Sequence, residues 1–85
     1  MPRVLTMHRT IVPPAERKKY FERLKAKRDY YQRAQCRFWA CEEAGLPGAF
    51  LEFFESADAE TLAAAHAASP GSSTDPRRIY REVEL

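Results

Sequence analysis

The order of apolar and polar positions divides the chain into six stretches. Residues Arg3-Val-Leu-Thr-Met-His-Arg-Thr-Ile-Val12 are rich in β-branched side chains and stop at Pro13-Pro14, which cannot continue a ladder. Their period of two sets Leu5, Met7 and Ile11 on one face and Val4, Thr6, His8 and Thr10 on the other. This predicts a first strand with its more apolar face toward helices. From Pro14 to about Tyr31, Pro14 and Glu16 suit the first turn and neither Gly nor another Pro interrupts. Phe21, Leu24, Arg28 and Tyr31, flanked by Tyr20, recur at three- and four-residue steps. A basic helix of roughly 18 residues, about 27 Å long, is expected.

A second strand over Cys36–Glu42 separates Cys36, Phe38 and Ala40 from Arg37, Trp39 and Cys41, so both of its faces are apolar. Gly45-Leu-Pro-Gly48 has turn chemistry and predicts a hairpin into a third strand, Ala49–Glu55. There Ala49, Leu51 and Phe53 are expected toward helices, with Phe50, Glu52 and Phe54 on the far side. Ser56 and Asp58 are competent N-caps, so a second helix, rich in alanine and carrying an exposed His66, is expected to begin near residues 57–59. Residues 69–77 read as a mobile loop. The last stretch, Arg77 to Leu85, alternates Ile79, Val83 and Leu85 against Tyr80, Glu82 and Glu84 and reads as strand four.

Strand, helix, strand, strand, helix, strand is the split βαβ order of the α+β, ferredoxin-like fold. Right-handed crossovers predict an antiparallel sheet of order 4-1-3-2 with both helices on one face. The whole chain of 85 residues is one small domain. A domain of this size buries only roughly 60–65% of its surface, and a second subunit commonly makes up the difference. Val4, Trp39, Phe50, Phe54 and Tyr80 are expected on the face away from the helices, where a partner sheet would cover them.

Cys36 and Cys41 lie five apart in a strand, point to opposite faces and cannot bridge each other. With no paired histidines beside them they make a poor metal site, and reduced thiols fit a cytoplasmic protein. No signal-like or membrane-spanning apolar run is present. Net charge is only +2, but residues 16–37 carry nine Lys/Arg against three Asp/Glu. A solvated helix face explains that asymmetry better than a nucleic-acid partner does.

The long helix after strand one, the Phe38-Trp39 strand, and Pro47-Gly-Ala-Phe-Leu-Glu-Phe-Phe-Glu55 leading into Ala57-Asp58 together resemble the dimeric α/β-barrel superfamily. That group holds antibiotic-biosynthesis monooxygenases, stress-responsive barrel proteins and many small uncharacterised proteins. The resemblance covers nearly the whole chain at the level of fold and includes no catalytic signature. It implies a homodimer with sheets stacked and a pocket for a small apolar or aromatic ligand, lined by Trp39, Phe50, Phe54, Tyr80 and Arg37. Activity in the superfamily ranges over cofactor-independent oxygenases, isomerases, lyases and haem-handling enzymes, and the fold alone does not choose among them.

A rival resemblance, to RNA-recognition motifs, rests on Gly48-Ala-Phe-Leu-Glu-Phe53 followed by Ala57-Asp-Ala-Glu60, with Phe50 as a base-stacking platform. Against it, strand one lacks the usual aromatic and Gly48 lacks a preceding basic residue.

For chemistry, His8 and Glu52 fall on adjacent strands and on the same predicted, non-helical face. In register, imidazole and carboxylate would form a general base with its orienting partner, able to take a proton from a phenol or enol without a cofactor. The structural alternative is a satisfied polar pair at a subunit interface. Arg37 is expected either to neutralise Glu52 or to bind a substrate carboxylate. No phosphate loop, nucleophilic triad or clustered metal ligands occur in the sequence.

Overall fold

The structure is a computed structural model and describes residues 3–69 and 78–85. Its elements are β1 (Val4–Ile11), α1 (Arg17–Arg33), β2 (Arg37–Glu42), β3 (Ala49–Ser56), α2 (Ala59–Ala68) and β4 (Tyr80–Arg81), with a 3-10 turn at Pro14–Glu16. The strands form one antiparallel sheet of order β2-β3-β1-β4. This is the ferredoxin-like α+β arrangement and the strand order that the sequence predicts. The pairing of β1 with β3 runs the full length of both, from Val4 opposite Ser56 to Ile11 opposite Ala49. The fourth strand is much shorter than expected. Tyr80 and Arg81 pair opposite Leu5 and Val4, the Glu82 N–H donates to the Arg3 carbonyl at 2.9 Å, and Val83 and Leu85 beyond are exposed. Of the loop expected at 69–77, all but Ser69 lies outside the described residues.

The inner face of α1 carries Tyr20, Leu24 and Tyr31, all buried, with Lys27 between the last two. The expected stripe of Phe21, Leu24, Arg28 and Tyr31 keeps Leu24 and Tyr31 but is turned by about half a residue step, roughly 50° of helix rotation, toward Tyr20 and Lys27. Phe21 stays at the margin, edge-on to Phe50 at 5.7 Å, beneath the Arg17 guanidinium at 4.9 Å. The helix closes with Gln35 in the left-handed region (φ 65°), which lets the Cys36 N–H donate back to the Tyr31 carbonyl at 2.8 Å. α2 begins as its cap residues predict: the Asp58 carboxylate accepts from the Thr61 N–H at 2.7 Å and the Thr61 hydroxyl at 2.9 Å.

The face assignment from alternation alone is reversed for β1 and β3, while Trp39 and Tyr80 lie away from the helices as expected. Val4, Thr6, Phe50, Glu52, Phe54 and Ser56 are buried on the side covered by the helices. Leu5, Met7, Ile11, Leu51 and Phe53 lie on the opposite, open side, with Arg37, Trp39 and Tyr80 beside them. The helix side tolerates threonine and glutamate because α1 and α2 bring polar side chains to meet Thr6 and Glu52. The core there has two centres. Val4, Tyr31, Cys36, Phe54, Leu62 and Ala65 form one, and Val12, Tyr20, Leu24 and Phe50 the other.

Candidate functional site

Between the two apolar centres, at the middle of β3, sits Glu52. Its neighbours in the same row are Phe50 and Phe54, one in each centre. Only 1% of Glu52 is exposed, a placement that is costly for a carboxylate unless every oxygen finds a donor. Both do. The Tyr20 hydroxyl donates to Oε2 at 2.8 Å and the Lys27 ammonium to Oε1 at 2.7 Å. Tyr20 and Lys27 are seven apart on α1, two helical turns, so one face of one helix supplies both donors. Burial, then the carboxylate beside it, holds the Tyr20 phenol well above its usual range, so it remains a hydrogen-bond donor.

On the sheet, the register sets His8 of β1 directly opposite Glu52, and Ala40 of β2 opposite it on the other side. His8 is half-buried. Carboxylate, ammonium, phenol and imidazole are thus gathered around one strand position, a set able to hold and move a proton.

Lys27 also reaches solvent. With Arg23, Ala26, Tyr30 and Ser69 it lines a cleft of about 290 Å³ between α1 and the C-terminal end of α2. The Tyr30 hydroxyl donates to the Ala65 carbonyl at 2.8 Å and ties α2 to that wall. Arg23 lies over the Tyr20 ring at 5.7 Å. The cleft therefore opens beside the charged atoms that end on Glu52.

A second buried polar group stands one layer away. His66 on α2, 5% exposed, bonds Thr6 Oγ1 of β1 through Nε2 at 2.7 Å and the Tyr31 hydroxyl of α1 through Nδ1 at 2.8 Å. Burial lowers its pKa, so the imidazole is neutral, one ring nitrogen donating and the other accepting. The expectation of an exposed His66 is corrected. On α2 it falls in the row of Leu62 and Ala65, and an imidazole can enter a core once hydroxyls on two other elements saturate it.

The residues that the sequence singles out are thus divided between the two sides of the sheet. His8 and Glu52 stand directly opposite each other in the β1–β3 register, but on the helix side instead of the open one. Phe50 and Phe54 are there too, fully packed, so Phe50 offers no platform to a nucleic-acid base. Trp39, Arg37 and Tyr80 are on the open side. Trp39 stacks on Phe53 at 5.2 Å with planes 10° apart, and the Arg37 guanidinium covers the indole at 5.0 Å. Arg37 is opposite Glu55, so it does not neutralise Glu52. Tyr20, Lys27, Thr6, Tyr31 and His66 escaped the sequence reading. One signal for the first two was present: 20, 24, 27 and 31 follow helical steps, and a lysine inside such a stripe needs an acid below it.

Among the described residues no group of three or more His, Cys, Asp or Glu is arranged to hold a metal, and no helix is long and apolar enough to cross a membrane. Compared with known protein families, curated proteins and solved structures, the chain matches none, so its site has to be read from its own geometry.

Proposed function

We propose that this protein is a homodimer of the dimeric α/β-barrel kind, two sheets stacked through their open faces, and that each subunit binds a small apolar or aromatic ligand on its helix side. The observation that carries this reading is the open face itself. Met7, Ile11 and Tyr80 on it are 46%, 59% and 48% exposed, and they adjoin the half-buried Leu5, Trp39, Leu51 and Phe53. Apolar surface of this kind, with the Arg9–Glu43 and Arg3–Glu55 ion pairs set among it, suits a subunit interface. Stacked sheets approach to about 10 Å, the distance at which such side chains interdigitate. The ligand reading draws on the cleft beside Lys27 and on the buried polar set at its edge. A cytoplasmic setting suits the two free cysteines, of which Cys41 is exposed.

Sedimentation velocity at low micromolar concentration tests the assembly. The wild-type chain is expected to run as a dimer and Phe53→Asp as a folded monomer. A well-folded wild-type monomer with a quencher-accessible Trp39 would overturn it. Native mass spectrometry of the freshly purified protein tests for a retained small molecule.

A second reading, a cofactor-independent monooxygenase or isomerase, is favoured by the pairing of His8 with Glu52 in the β1–β3 register. In that reading His8 takes a proton from a phenol or enol and Glu52, fixed by Tyr20 and Lys27, orients it. Unchanged turnover in His8→Ala, once a substrate is known, removes His8 from that role.

A further inference from the structure

We propose that the cleft between α1 and the end of α2 selects a small organic anion: a carboxylate or enolate carried on a flat apolar body. The inference rests on the reading above that this cleft is the ligand site, and it names the chemical class.

Three features lead to it. The first is charge. Arg23 and Lys27 project into the cleft, and no Asp or Glu is among the described residues that line it. Glu52 uses both oxygens, on Tyr20 and on Lys27, while the ammonium has three protons and spends one on it. No carboxylate among the described residues lies within ion-pair distance of Arg23. Among the described residues the lining therefore carries a guanidinium with no carboxylate in ion-pair range, and the ammonium beside it has protons to spare. An anion satisfies both, a neutral ligand neither, and a cation is repelled.

The second feature is shape. Ala26 and the Tyr30 ring, with the aliphatic stems of Arg23 and Lys27, offer apolar wall. The volume of about 290 Å³ is near the lower end for ligand pockets, which suits one or two rings. The third is preorganisation. Glu52 holds Lys27 at 2.7 Å, Tyr20 lies under Arg23, and the Tyr30 hydroxyl is tied to α2, so the donors are fixed before a ligand arrives. The surplus of Lys and Arg on α1 draws anions toward this helix.

The test compares three probes of nearly one shape, cinnamate, cinnamyl alcohol and cinnamylamine, titrated into the isotope-labelled full chain and followed by backbone amide shifts. Cinnamate is expected to perturb Arg23, Lys27 and Tyr30 and to bind about tenfold or more tightly than the alcohol, the gain usual for a charge-assisted hydrogen bond. Arg23→Gln changes an exposed residue and is expected to fold; in it the preference for cinnamate over the alcohol should shrink several-fold. Lys27→Gln should weaken cinnamate too, and amide dispersion reports whether that variant keeps its fold. Equal binding of acid and alcohol in the cleft, tighter binding of the amine, or an acid affinity indifferent to Arg23→Gln overturns the anion while leaving a ligand cleft. Binding of none of the three at the cleft overturns both readings together.

Discussion

His66 shows how one side chain can join three elements and thereby tie the fold to pH. Facing it are the Thr6 hydroxyl from β1, the Tyr31 hydroxyl from α1 and the Phe54 ring from β3 at 4.8 Å. None of these is a carboxylate that would favour imidazolium, and burial disfavours it outright, so its folded pKa lies below that of the unfolded chain. As pH falls through about 6.5 the unfolded chain takes up the proton first, and stability drops until the folded pKa is reached. Urea midpoints measured from about pH 8 down to about pH 5 should decline over that window. In His66→Gln the starting stability should be lower and this component of the slope absent. An unchanged slope would show that the imidazole titrates normally. At this scale the sequence was hardest to read. Glu52, Tyr20 and Lys27 are individually ordinary residues, and their bond comes from contacts 25 to 32 positions apart.

Elements were far more legible, because their signals are local. Pro13-Pro14 ends β1, Asp58 caps α2, and glycine at 48 starts β3 in a conformation that other residues rarely adopt (φ +94°). That glycine is held from several sides. Its N–H donates to Glu42 Oε2 at 2.9 Å, its carbonyl accepts from the Val12 N–H at 2.8 Å, and an added Cβ would stand 2.9 Å from the Val12 carbonyl oxygen. Arg17 grips the same Glu42 carboxylate through two nitrogens at 2.7 and 2.9 Å, and with the Gly48 N–H pushes its pKa down to about 2. The hairpin is thereby clamped to the first turn of α1. Gly48→Ala should cost about 1–3 kcal/mol in chemical denaturation. Gly45→Ala, where an added Cβ meets nothing within 4 Å, should stay within about 0.5 kcal/mol. Similar losses at both sites would mean that the turn relaxes freely. The error on α1 was also one of element scale. Phe21 and Arg28 satisfy the helical period as well as Tyr20 and Lys27 do, and only the sheet below decides which row is covered.

The molecule as a whole is a slab, 40 × 30 × 19 Å, and its least dimension is that of one sheet and one helical layer. Pairing two slabs through their sheets would make each subunit's stability depend on the other. By mass action, raising protein concentration from about 1 to about 100 μM should then raise the melting temperature, and Phe53→Asp should abolish that dependence. A melting temperature independent of concentration would contradict the proposed dimer. Taken alone, the sequence determined the order and kind of the elements, the caps and turns between them, and hence the ferredoxin-like sheet, because those depend on neighbours along the chain. Which side of the sheet the helices cover was decided only in three dimensions. Both faces of its strands are apolar enough to be buried, so alternation is symmetric, and the path of each crossover breaks the tie. That choice put Glu52 beneath Tyr20 and Lys27, and made a buried hydrogen-bonded cluster where the sequence alone showed a glutamate between two phenylalanines.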